Sequence, residues 1–146
     1  MGKARDVIEE GERRFNTGDV NSLLELYAAN AVATGPGGME FKGIDAIREY
    51  TKSWLTGFPD AHIETKKLIE AGVTVVTEGI FTGTHTGTFS TPMGDIPPTG
   101  KAVKGEYVDI FEVRDGKVVS DRLTFDRMQL MEQLGLVPQP AGAGTG

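Results

Sequence analysis

The 146-residue chain contains no cysteine. That absence excludes a disulfide framework, a thiol nucleophile and any cysteine-ligated zinc or iron–sulfur centre. Histidine is nearly as scarce. His62 and His85 are the two in the chain, and they lie too far apart for a helical His-x-x-x-His pair. Positive charge is also in short supply, with 15 Lys and Arg against 21 Asp and Glu and a net charge of −6. Nucleic acid is therefore not expected as a partner, because phosphate binding calls for a basic stripe. No apolar run approaches the roughly 20 residues of a membrane span. The N-terminus has no signal-peptide apolar region, and Asp6 stands where a myristoylation signal needs Ser or Thr. The expectation is a soluble, cytoplasmic protein with no membrane partner. There is no Gly-x-Ser-x-Gly elbow and no dinucleotide fingerprint. The stretch from Gly94 to Lys101 is one residue too long for a phosphate loop, and Ala102 lacks the hydroxyl.

What remains is an ordinary globular composition, 38% hydrophobic and 25% charged, of a length suited to one domain. Val7, Ile8, Gly11 and Phe15 recur at helical spacing up to Asn16-Thr17-Gly18. Asp19 then reads as the N-cap of a second helix carrying Val20, Leu23, Leu24 and Tyr27. Gly35-Pro36-Gly37-Gly38 is a turn between short extended pieces. A third helix from Ile44 places Ile47, Thr51, Trp54, Leu55 and Phe58 on one stripe and stops before Pro59. Beyond Pro59 the period becomes extended. Strands are expected over 61–70 and 73–84, a loop over 86–101, and a final hairpin of 102–113 and 117–126. Met128, Met131 and Leu134 form a short last helix capped by Gly135. Residues 1–137 are thus read as one domain and 138–146 as a disordered tail. Helices first and hairpins afterwards imply an α+β domain with helices on one face of a curved antiparallel sheet.

The last hairpin locates the candidate chemistry. Two registers fit Arg114-Asp115-Gly116-Lys117. A two-residue loop pairs Val113 with Val118 and sets Asp109 opposite Arg122; a three-residue loop with Gly116 as a bulge pairs Val113 with Lys117. The second register sorts the residues better. It collects Val103, Tyr107, Phe111, Val119, Leu123 and Phe125 on one face and puts Lys104 opposite Asp126 on the other. It also sets two acids, Asp109 and Asp121, directly opposite each other on the apolar face. Two carboxyls so placed share a proton and titrate as a unit, one acid and one base. A wet sheet edge, where the two do nothing, is the alternative. Val108, Ile110 and Val118 are expected to leave the outer face apolar enough for self-association.

Several strings, in order, now resemble a known family: Phe15-Asn16-Thr17-Gly18, Gly83-Thr84-His85-Thr86-Gly87, Pro97-Pro98-Thr99-Gly100-Lys101, Val108-Asp109-Ile110-Phe111, Asp115-Gly116-Lys117, Phe125-Asp126 and Gln133-Leu134-Gly135. Nearly end to end, the chain resembles the SnoaL-like polyketide cyclases of the nuclear transport factor 2-like superfamily. The resemblance implies a cone-shaped α+β domain, its bent sheet wrapped on helices around one apolar pocket. It also implies no cofactor, no metal and assembly as a homodimer or homotetramer. The family's cyclases carry a His-x-Asp pattern on the last strand; those positions are Asp121 and Leu123 here, and a histidine of the preceding strand is Asp109. Tyr107-x-Asp109 with Asp121 is similar in layout to the Arg-x-Asp and Asp of limonene epoxide hydrolase-like members.

The resulting expectation is a cofactor-independent acid/base enzyme acting on a hydrophobic, polyketide-like small molecule by a cyclase, hydroxylase-like or epoxide hydrolase-like reaction. Asp109 and Asp121 transfer protons and Tyr107 donates a hydrogen bond. His85 either binds a substrate carbonyl or shapes its turn. Tyr27, Trp54, Phe58, Phe111, Val119, Leu123 and Phe125 line the pocket. His62 is expected at the surface. A non-catalytic binding or interaction domain of the same fold is the alternative.

Overall fold

A computed structural model describes residues 3–138. Helix α1 (Lys3–Thr17) and the short α2 (Val20–Leu24) come first, and Asp19 caps α2 by accepting the Ser22 N–H at 3.0 Å. Strand β1 (Tyr27–Gly35) turns through Pro36–Gly38 into β2 (Met39–Lys42). Helix α3 (Ile44–Gly57) leads to the long hairpin β3 (His62–Ala71) and β4 (Thr74–Thr84). A small hairpin, β5 (Phe89–Thr91) and β6 (Gly94–Ile96), precedes β7 (Ala102–Arg114), β8 (Lys117–Phe125) and α4 (Arg127–Gln133). Asp126 caps α4 through the Gln129 N–H at 3.0 Å, so it is an end-cap and not the partner of Lys104. The backbone of Lys104 instead exchanges two 2.9 Å hydrogen bonds with the Gln133 amide.

The order β2-β1-β8-β7-β4-β3 makes one strongly curved mixed sheet. Every pairing is antiparallel except β1 with β8, which runs parallel. Tyr27 departs from its expected place. Helix α2 stops after five residues, and Tyr27 opens β1 opposite Val118. The residues read as a loop over 86–101 contain the β5–β6 hairpin; three-residue strands are too short to show a period. Its Phe89 packs 4.7 Å from Trp54, in a cluster with Phe58, Val103, Leu130 and Leu134. The expected tail lies, from residue 139 onward, outside the described residues.

The β7–β8 register follows neither expectation along its length. The turn has two residues, Asp115 and Gly116, at φ of 53° and 75°, the left-handed pair that a tight hairpin of this twist requires. It pairs Arg114 with Lys117 and Val113 with Val118. A bulge then intervenes: Glu112 pairs with Ser120, leaving Val119 as the extra residue. Beyond it Phe111 faces Asp121 and Asp109 faces Leu123. Asp109 and Asp121 are therefore diagonal neighbours on one face, not direct partners. Continued without the bulge, the turn's register would have pointed Ser120, Arg122 and Thr124 inward. Val118 is buried, so it is not part of the outer face; Val108, Ile110 and Ile69 are, at 37%, 40% and 54% exposure.

Candidate functional site

The inner face of the sheet and helices α1 and α3 enclose a cavity of about 190 Å³. Its walls are largely apolar: Phe15, Leu23 and Trp54 on the helix side, Phe111, Leu123 and Phe125 on the sheet side. Alternation along the strands explains this, since β7 sends Tyr107, Asp109 and Phe111 inward and the bulged β8 sends Asp121, Leu123 and Phe125 to meet them.

Asp109 is buried at 8% exposure, and Thr77 of β4 lies directly opposite it on the other side. Asp121 is reached by Tyr27, whose hydroxyl donates to Oδ2 at 3.1 Å. The two carboxyls share a hydrogen bond with each other, and each keeps an Oδ1 shielded from solvent. Burial raises the pKa of both above the ordinary aspartate value. For Asp109 the neighbouring Asp121 charge and the shared hydrogen bond push further upward. For Asp121 the hydrogen bonds from Asp109 and Tyr27 pull the other way. The pair therefore holds one proton readily, resident on Asp109, with the charge on Asp121. Burial, then the charges of Asp121 and Asp109, raise the Tyr27 phenol well above its usual value, so it stays a donor.

Tyr107 lines the same cavity but turns its hydroxyl away from the aspartates. It lies over Gly79, where a Cβ would come within 2.6 Å of Oη, and meets Thr65 and the charge of Glu12. Burial foremost raises its pKa. Glu12 also accepts the Thr65 N–H at 2.6 Å. The expected Tyr107 donor thus serves a different part of the wall.

Three expected site residues do not line the cavity. His85 is fully buried outside it, its Nδ1 held by Thr99 through Oγ1 at 2.9 Å and N–H at 3.2 Å, its ring 5.2 Å from that of Phe58. Burial lowers its pKa. Phe58 is fully buried in the solid core beneath the β5–β6 hairpin. Val119 is the bulge residue, and Val118 takes its place in the lining. Tyr27, Trp54, Phe111, Leu123 and Phe125 do line the cavity. Residues missed by the sequence reading include Tyr50, Thr77 and Glu12. Two of them carried a signal: Tyr50 lies three residues after Ile47 and four before Trp54 on the α3 stripe, and Glu12 interrupts an apolar stripe four residues after Ile8.

The profile of the SnoaL-like polyketide cyclases matches residues 5–134. The chain belongs to that family. Among solved structures, this SnoaL-like protein is similar to IdmH of Streptomyces antibioticus, a candidate polyketide cyclase. Identity is 28% over 90% of this chain and 98% of that one, with a TM-score of 0.74. It is similar at 26% identity to SalBIII, an epoxide hydrolase/cyclase-like enzyme of pyran ring formation in the polyether salinomycin. There the match covers 87% of this chain and 93% of that one, with a TM-score of 0.74. The fold is shared with AclR, a candidate hydroxylase of Streptomyces galilaeus, at 24% identity over 96% and 85% of the two chains and a TM-score of 0.80. No curated protein sequence matches the chain. Among the described residues no helix is long and apolar enough to cross a membrane.

Proposed function

We propose that this SnoaL-like protein is a cofactor-independent acid/base enzyme that closes or opens an oxygen ring in a hydrophobic, polyketide-like molecule. The observation that carries the reading is the pair of carboxyls, Asp109 and Asp121, set diagonally on one face of β7 and β8 against a largely apolar cavity. Asp121, held ionised by Tyr27, takes the proton of an attacking hydroxyl or water. Asp109 gives its proton to the oxygen that leaves carbon. One proton enters the pair as one departs, and the hydrogen bond between the carboxyls returns the proton from Asp121 to Asp109 for the next cycle. The likeness to SalBIII and IdmH supports this class of reaction.

The departure from the family's cyclase pattern also fits. The position of the family's aspartate is Leu123 here, and the residue paired with Leu123 across the strands is Asp109. A carboxyl thus stands on the neighbouring strand and faces the same cavity. A cavity of about 190 Å³ is smaller than the roughly 300–1,000 Å³ of drug-sized sites, so it encloses only the reacting end of a larger substrate. A second copy packed over Ile69, Val108 and Ile110 would complete the assembly, and light scattering at micromolar concentration reads it directly.

Carboxyl carbon NMR across pH tests the site before any substrate is known. Two linked titrations, one displaced well upward, are expected. Two independent aspartates with ordinary values would remove the chemistry, leaving a binding domain. With hydrophobic epoxy-alcohols as probes, Asp109→Asn and Asp121→Asn should each lower turnover by about 10²–10⁴-fold.

A further inference from the structure

The cavity holds one more polar group that neither proton transfer nor packing uses. Tyr50 projects from α3 with its ring fixed on two sides. It stacks on Phe41 of β2 with centroids 4.1 Å apart and planes at 16°, and it meets Trp54 edge-on at 6.5 Å and 78°. Its hydroxyl is shielded from solvent and has no hydrogen-bond partner in the protein. The Trp54 indole N–H comes near enough to its oxygen to lower the phenol's pKa, though not into good hydrogen-bond geometry. An indole N–H only donates, so even that approach leaves the Tyr50 proton without an acceptor. The hydroxyl lies beside Gly35 of β1, where a Cβ would come within 3.5 Å of it, two residues along the strand from Ala33, the partner of Asp121.

A buried, unpaired hydroxyl is costly to folding, and Phe at this position would keep both ring contacts without the cost. We propose that Tyr50 is a substrate-binding residue whose hydroxyl donates to an oxygen on the inserted end of the substrate, beside Asp109 and Asp121. The inference rests on the acid/base reading above and narrows it. The substrate carries a carbonyl, ether or hydroxyl oxygen at the end of a ring-sized apolar body, which enters the cavity against the wall that Trp54 and Phe125 form by edge-to-face contact until that oxygen meets Tyr50. Burial, with the two aspartates adding to it, pushes the Tyr50 pKa up to about 12, so the group stays a donor through the neutral range.

The test compares 1-indanone, a bicyclic ketone, with indane, which has the same rings and no oxygen. Affinities come from NMR titration of wild type and Tyr50→Phe, and the infrared carbonyl stretch of bound 1-indanone is read in both. Wild type should prefer the ketone. Tyr50→Phe should lose about five- to tenfold in ketone affinity, keep its indane affinity, and move the carbonyl stretch towards its value in an apolar solvent. The variant should melt at or above the wild-type temperature, because it discards an unsatisfied group. An unchanged ketone affinity and stretch would overturn the role of Tyr50 while leaving the aspartate pair to be judged by Asp109→Asn turnover. A marked drop in melting temperature would also overturn it, since the hydroxyl would then have a structural partner. So would a wild type that binds neither probe.

Discussion

Asp109 and His85 are both ionisable, both buried and both set among aromatic or aliphatic neighbours, yet they lie in different kinds of interior. His85 is packed solid: Phe58 covers its ring and Thr99 fixes Nδ1. Asp109 borders empty space with a second carboxyl beside it. Burial shifts both pKa values, upward for the acid and downward for the base, so a perturbed titration does not distinguish them. What distinguishes them is room for another molecule beside the group.

Four substitutions would break or sharpen that contrast. The largest effect is expected from Asp121→Asn. Turnover should fall by about 10²–10⁴-fold with the fold retained, measured as kcat beside a melting curve. The reverse pattern is expected for His85→Ala, a loss of about 2–4 kcal/mol in stability with turnover per folded molecule unchanged. Denaturant titration and active-site normalised rates check it, and a catalytic collapse in this variant would merge the two regions.

Next in size is the pH dependence of stability, where the two groups have opposite signs. The folded-state pKa of Asp109 is raised, so its contribution to stability is fully present below the ordinary value of 3.8 and is lost as pH rises through the folded value. The folded-state pKa of His85 is lowered, so its contribution is present above 6.5 and is lost as pH falls through the folded value. Asp109→Asn should therefore be as stable as wild type or more so at neutral pH, with the advantage fading on acidification. Melting temperatures from pH 3 to 8 give the comparison. The smallest effect belongs to Tyr27→Phe. Removing the hydrogen bond that holds Asp121 down should move the acidic limb of the pH–rate profile upward, with a modest fall in rate at neutral pH.

Much of the architecture was legible because it is written in local periods. The helix stripes of α1 and α3, the caps at Asp19 and Gly135 and the position of a turn at Asp115-Gly116 follow from propensity and spacing, although that turn has two residues and not the three expected. The shared face of Asp109 and Asp121 was also legible, since only one parity separates apolar from polar residues on β7 and β8. Their exact pairing was not, because nothing local to Val119 announces a bulge; it answers to the whole sheet. His85 and Phe58 went astray for a related reason. They are closed off by the β5–β6 hairpin, whose Phe89 reaches Trp54 across more than thirty residues of chain. Tyr50 was hidden by its own ordinariness, as an aromatic on a core stripe reads as packing until an unpaired hydroxyl is seen at its end.

The bulge at Val119 means that the active face is stored as a phase as well as a set of residues. The remaining eight residues of β8 contain two possible walls, and one intercalated residue selects between them. Flattening the bulge, so that Glu112 paired with Val119, would slide the alternate wall into view and bring Arg122 opposite Asp109, trading a shared proton for a closed ion pair in an otherwise familiar fold. Loss of the raised aspartate titration with a retained melting transition would be its signature. A chain of this kind can gain or lose its chemistry by a slip of one residue in strand pairing, without altering any side chain that touches the substrate.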